Sequence, residues 1–168
     1  MAQGIDVFLE FIKAFKKNLI SLNCMFTFIG EGRGKKSLQQ YVNVNNLDSI
    51  VNFVEAKLPH QIPQYLSNSH VALLIIKNNP YLNKVLPAKV PSYVGCKIPI
   101  LAISIYPLSN FIEEHNYGIS TNSYENNQIM LKIEEIIKDY NRIKQAIENS
   151  DDLFKREILM KKLLEVIL

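Results

Sequence analysis

Three glycines and three cations fall within the run Gly30-Glu31-Gly32-Arg33-Gly34-Lys35-Lys36-Ser37. Such a run can fold as a tight, positive turn feeding a helix N-terminus, which suits a phosphate. It is not a Walker A loop, because no Gly stands five residues before the Gly34-Lys35 pair and Lys36 occupies the Ser/Thr position. Nor is it a dinucleotide fingerprint, since Lys35 falls where the third Gly must be. A plain strand-to-helix turn accounts for the same residues. A second run, Leu86-Pro87-Ala88-Lys89-Val90-Pro91-Ser92-Tyr93-Val94-Gly95-Cys96-Lys97-Ile98-Pro99, places Lys89 just after a proline that can open a helix. The free amides of Ala88 to Val90 and the Lys89 ammonium would then converge as an anion site. The alternative is a solvated lysine near a helix start.

Other reactive side chains form no constellation. His60, His70 and His115 are scattered and lack the acidic partners of a triad or metal box, so they read as solvated or core histidines. Glu113 and Glu114 are neighbours on a helical stretch and diverge, so they make no acid/base dyad by themselves. Cys24 and Cys96 sit in apolar segments without companion ligands and read as reduced core thiols of a cytosolic protein.

The elements that must position these residues follow from hydrophobic spacing. Ile5, Phe8, Leu9, Ile12 and Phe15 share one helical face, with Lys13, Lys16 and Lys17 toward its far end. Short apolar strands are expected over 24–29, 50–54, 71–76 and 98–103, with a further strand over 117–120. Helices are expected between them over 36–44, 60–66, 88–95 and 108–115, and helical sequence runs to the end. Its apolar stripe of Leu153, Phe154, Ile158, Leu159, Leu163, Leu164, Ile167 and Leu168 reads mainly as a helix closing on its own sheet. Strands apolar on both faces, alternating with crossover helices, predict a doubly wound α/β fold with a parallel sheet covered on both sides. Such sheets begin with a strand, whereas the first element here is a helix, so a starting strand is expected to be missing.

Composition sets the bounds. The 168 residues are 48% hydrophobic and 21% charged, the profile of one globular domain with a real core. No apolar run approaches the roughly 20 residues of a membrane-spanning helix. Met1-Ala2-Gln3-Gly4 has neither the basic nor the apolar region of a signal peptide. A net charge of +3, from 19 basic and 16 acidic residues, is too slight for a nucleic-acid binder and favours a small anion as partner.

Taken in order, several segments resemble the carboxy-terminal, donor-binding half of a family 4 (group 1) glycosyltransferase of the GT-B fold. Ala2-Gln3-Gly4-Ile5-Asp6 is similar to the family's "K/Q-G-hydrophobic" element, and Phe28-Ile29-Gly30-Glu31-Gly32 to its "G-D/E-G" turn. Ile50-Val51-Asn52-Phe53-Val54 resembles "N-V-hydrophobic-F-x-G", and Tyr65-Leu66-Ser67-Asn68-Ser69-His70-Val71-Ala72-Leu73 resembles "Y-L-S-x-A-D-V-x-L". The run from Leu86 to Pro99 is similar to "L-P-S-K-hydrophobic-x-E-Y-hydrophobic-A-x-G-K-P", and Glu113-Glu114-His115-Asn116-Tyr117-Gly118-Ile119 completes the series.

The resemblance implies a Rossmann-like domain, residues 1–168, that binds the nucleotide diphosphate sugar, with UDP-sugar preferred. A separate amino-terminal domain would bind a glycan or lipid-linked acceptor in polysaccharide biosynthesis. It implies a cytoplasmic protein, peripheral to the inner membrane face when full length, with no metal or other cofactor. The isolated chain would be inactive. Lys89 is the expected catalytic cation on the leaving diphosphate. Gly30, Gly32 and Arg33 would lie near ribose and phosphates, Phe53 and Val54 near the base, and Lys89, Ser92 and Tyr93 would bind the donor with them.

This sequence departs from the family pattern at several of those positions. The paired glutamates would fall at Lys84 and Ser92, so it resembles a subgroup lacking them, and the Ser92 hydroxyl stands where a carboxylate usually holds the ribose. Gln3 replaces a lysine, His70 an aspartate, and Ile105-Tyr106-Pro107 a glycine-rich turn. These changes keep open an alternative: a non-catalytic Rossmann-like interaction module with a degenerate nucleotide site.

Overall fold

The computed structural model describes residues 4–32, 34–78, 85–105, 107–150, 153–155 and 157. Gln3, Arg33, Lys84, Tyr106 and the stripe beyond residue 157 therefore lie outside the described residues.

Helices and strands alternate in the expected order. α1 (Ile5–Ala14) and α2 (Lys16–Ser21) precede β1 (Phe26–Ile29), α3 (Lys35–Val44) and β2 (Val51–Val54). A 3₁₀ turn (Pro59–Gln61) and α4 (Ile62–Ser67) lead to β3 (Ala72–Ile75), then α5 (Val90–Gly95), β4 (Ile100–Ile103), α6 (Leu108–Glu114) and β5 (Gly118–Thr121). α7 (Asn126–Lys138) and α8 (Tyr140–Asn149) follow. Every strand pairing is parallel, as crossover helices require. The fold is α/β and Rossmann-like, with parallel strands joined through helices.

Two buried clusters cover opposite faces. One gathers Phe8, Leu9, Phe11 and Ile12 of α1, Leu38 and Val42 of α3, and Ile129, Met130, Ile133 and Ile136 of α7 against Ile75, Leu101, Ile103 and Ile119. The other packs Val90 and Val94 of α5 and Leu108 and Ile112 of α6 against Ala72, Leu74, Ile100 and Ala102. β4 is buried at all four positions, so its apolar run has no polar face to show.

Four expectations need correcting. The strands form two sheets, β1-β2 and β3-β4-β5, and the first is covered on one face only, because Thr27 and Asn52 are exposed. The first helix breaks at Phe15 (φ −108°, ψ 19°), so Lys16 and Lys17 open α2 instead of ending α1. Lys16 Nζ donates to the Asn46 carbonyl at 2.6 Å, which ties α2 to the turn after α3. Cys24 and Cys96 are half-buried, not core, although burial still pushes the Cys24 thiol up. Finally, α5 starts at Val90, not Ala88: Pro87-Ala88-Lys89 form a turn in which the Pro87 carbonyl accepts the Val90 amide at 3.0 Å.

Candidate functional site

In an open α/β sheet, ligands bind in the crevice outside the carboxyl ends of the strands. The candidate residues fall at that pole in two groups.

The first group surrounds the ends of β1 and β2. The Gly30 amide donates to the Val54 carbonyl at 3.1 Å, and the Phe28 and Phe53 rings stack at 5.6 Å. Gly30, Phe53 and Val54 are thereby brought together, and no contact joins Gly32 to them beyond its place two residues after Gly30. Gly30 has φ +136°, a conformation glycine adopts most readily, and no atom lies within 4 Å of where a side chain would begin. The turn is thus glycine for its backbone and has open space beside it. Its charge is less than its composition predicts. Lys35 Nζ is ion-paired with the Glu31 carboxylate, and that hydrogen bond holds Glu31 below the usual carboxylate range.

The second group sits on α5. Lys89 is its N-cap, and Ser92 and Tyr93 follow three and four positions later, on the same face. Desolvation lowers the pKa of Lys89, although the residue as a whole is exposed. Burial raises the Tyr93 phenol, and Ser92 is exposed. The cluster of free amides anticipated here is reduced. Val90 donates to Pro87, Tyr93 donates to Lys89 at 3.1 Å, and Pro91 has no N–H. The side chain of Lys89 therefore carries most of the positive character of this turn.

The two groups belong to different sheets and share the carboxyl pole of the strands. A groove of about 510 Å³ lined by Gln39, Val42, Asn43, Asp48, Val51, Asn52 and Phe53 runs beside β2 and α3. Lys77, directly after β3, was not singled out by sequence. Its Nζ donates to Asp6 at 2.6 Å and holds that carboxyl below its ordinary value. Only the position of Lys77 at the end of an apolar run could have marked it.

The histidines and the glutamate pair have structural surroundings. His60 is exposed, His70 packs edge-on against Tyr140 at 5.7 Å, and His115 lies over Phe111 and Tyr117. Glu113 Oε1 accepts from both the amide and the hydroxyl of Ser120, each at 2.9 Å. Among the described residues no cluster of three or more His, Cys, Asp or Glu could hold a metal ion, and no helix is long and apolar enough to cross a membrane.

A layered α/β fold with parallel strands, Rossmann-like in architecture, is the class that these elements define. The chain belongs to the glycosyl transferases group 1 family, whose model matches residues 2–152. Among solved structures it is similar to a mutant S. aureus TarM in complex with fondaparinux, alpha-GlcNAc-glycerol and UDP. The TM-score is 0.70 at 19% identity, over 97% of this chain and 32% of that one. The pneumococcal O-GlcNAc transferase GtfA, in complex with UDP and GlcNAc, matches with TM-score 0.66 at 18% identity, over 98% and 33%. Anabaena HepE in complex with UDP-glucose matches with TM-score 0.67 at 14% identity, over 97% and 45%. The chain thus spans less than half the length of these proteins. No functionally curated protein sequence matches it.

Proposed function

We propose that this chain is the donor-binding half of a retaining family 4 glycosyltransferase, of the subgroup without the paired glutamates. In the whole protein it would take a UDP-sugar and deliver the sugar to a glycan or lipid-linked acceptor held by an amino-terminal domain. The observation that carries this reading is the open, positive-φ turn at Gly30, bonded to Val54 at the pole where Lys89 begins α5. UDP or UDP-glucose in the similar TarM, GtfA and HepE structures favours uridine.

The chemistry suits these residue types. Cleaving the sugar–phosphate bond leaves negative charge on the departing diphosphate, which a fixed cation stabilises more in the transition state than in the ground state. Lys89 supplies that charge. Gly30 and Gly32 let the diphosphate and ribose approach the backbone, with Arg33 beside them. Backbone groups around Phe53 and Val54 hold the base, the Ser92 hydroxyl accepts a bond from a ribose hydroxyl, and Tyr93 binds the donor beside it.

The alternative, an interaction module with a degenerate site, draws on the reduced set of amides at the start of α5 and on Ser92 in place of an acid. Amide chemical-shift mapping with UDP separates the two. The donor reading expects shifts at Gly30, Gly32, Val54, Lys89 and Ser92. Shifts confined to the groove at Gln39 and Asn43, or none at millimolar UDP, would refute it.

A further inference from the structure

Backbone alternation decides which groups of β2 are left over. The Phe26 and Gly30 amides donate to the Ile50 and Val54 carbonyls, at 2.8 and 3.1 Å, so positions 50, 52 and 54 face β1. Val51 and Phe53 turn their N–H and C=O the other way, and the same alternation sets the Glu55 amide on that side. No strand among the described residues pairs with this edge. The Val51 amide already donates to the Leu47 carbonyl at 3.0 Å. What the edge still offers is therefore the Val51 carbonyl, both backbone groups of Phe53 and the Glu55 amide.

This edge is unguarded and recessed. Val51–Val54 pairs with β1 in unbroken register and contains no charge and no proline, so the usual defences of a free edge are missing. Gln39, Val42 and Asn43 of α3 form one wall of a groove whose other wall is Val51 to Phe53, and the groove holds about 510 Å³.

The two ends of the edge carry opposite charge. Asp48, before the strand, is the charged residue of the groove lining; it is exposed and has no ion pair among the described residues. Lys57 follows the strand, with its ammonium over the Tyr65 ring at 5.8 Å. An edge that runs from acid to base is complementary to itself run backwards.

We propose that this edge pairs with the same edge of a second copy of this chain, antiparallel about a two-fold axis at Phe53. Each Phe53 amide donates to the Phe53 carbonyl of the other copy, and each Glu55 amide donates to the opposite Val51 carbonyl. The Val51 amide, held by Leu47, is not called on. Asp48 of each copy comes opposite the Lys57-Leu58 segment of the other, so the same attraction closes both ends of the pair. The two Phe53 rings lie side by side between the α3 helices and lengthen the stack that Phe53 already makes with Phe28. Two β1-β2 sheets become one sheet of order β1, β2, β2, β1.

Sedimentation equilibrium of this chain between about 5 and 500 µM, at low salt so that charges are little screened, tests the pairing. The parent chain should show a reversible monomer–dimer equilibrium in that range. Asp48→Lys sets like charges at both ends of the pair, as does Lys57→Glu, and each should weaken association by about tenfold or more. An equimolar mixture of these two variants again sets opposite charges at both ends and should associate within about threefold of the parent. Glu55→Pro removes an outward donor without touching the β1 ladder and should also weaken association, whereas Glu55→Ala keeps the N–H and should not. A parent chain that stays monomeric at about 500 µM would overturn the proposal. So would association indifferent to the two charge reversals, or reversals that mixing does not mend.

Discussion

The Lys77 ammonium donates to the Asp6 carboxylate at 2.6 Å, joining residues 71 positions apart and pinning the first turn of α1 to the end of β3. Both side chains are more than a third exposed, so solvent screens the pair and about 0.5–1 kcal/mol is the expected loss in Asp6→Asn. The pair also makes stability depend on pH. Lys77 lowers the Asp6 pKa in the folded chain from 3.8. Its contribution is therefore complete above that unfolded value and fades as pH falls through the lower folded one. Urea unfolding between pH 6 and pH 2 should show a shallower acid loss in Asp6→Asn than in the parent chain.

Lys89→Ala should weaken UDP binding by about tenfold, the loss of one charge-assisted contact, while the circular dichroism spectrum stays unchanged. Because desolvation lowers the Lys89 pKa, UDP affinity should fall as pH rises through a value below the ordinary 10.5 of lysine. Lys89→Arg keeps its charge far higher in pH, so any affinity it retains should lack that alkaline fall. Isothermal titration across pH 7 to 10 reads both effects.

Glu113 holds the amide and hydroxyl of Ser120, linking α6 to β5. Removing it in Glu113→Ala leaves both donors without their acceptor and should cost about 1–3 kcal/mol in denaturant unfolding. Glu113→Gln retains a carbonyl acceptor and should recover part of that. Equal losses in the two variants would count against the carboxylate's role as acceptor.

Gly30 and Gly118 should fail for different reasons when changed to alanine. A side-chain carbon at Gly118 would overlap the Ile100 carbonyl oxygen and lie 2.6 Å from the Ile100 nitrogen, inside the β4-β5 ladder. Gly118→Ala should lose about 3 kcal/mol or more, with β5 displaced. Gly30 has open space around it, so Gly30→Ala should lose only about 1–2 kcal/mol from its backbone conformation. Thermal melts of the two variants, compared side by side, check the difference.

The strands and helices were legible because apolar runs report burial directly. The run over 98–103 contains β4, and the run over 71–76 contains β3. Their ends were not legible, because pairing begins only where the neighbour does: Phe26 meets Val51, leaving Cys24 and Met25 outside the ladder although both are apolar. The break at Phe15 carries no glycine or proline, so the apolar period runs through it unmarked. Around the proposed site, the local pairings were hidden from the residue types at the Gly30 turn and Lys89. Spacing could not foresee that Glu31 pairs with Lys35, or that Pro87 takes the Val90 amide. The separation of β1 from β3 is a property of sheet order, which depends on contacts between distant segments and leaves no local trace.

The most direct test of the central claim is calorimetric titration of this chain with UDP, alongside GDP, ADP and inorganic phosphate. A donor-binding domain predicts saturable UDP binding with a Kd on the order of 10⁻⁴ M, and at least about tenfold weaker binding of phosphate. UDP heats indistinguishable from those of phosphate, on a chain whose unfolding transition is intact, would contradict it.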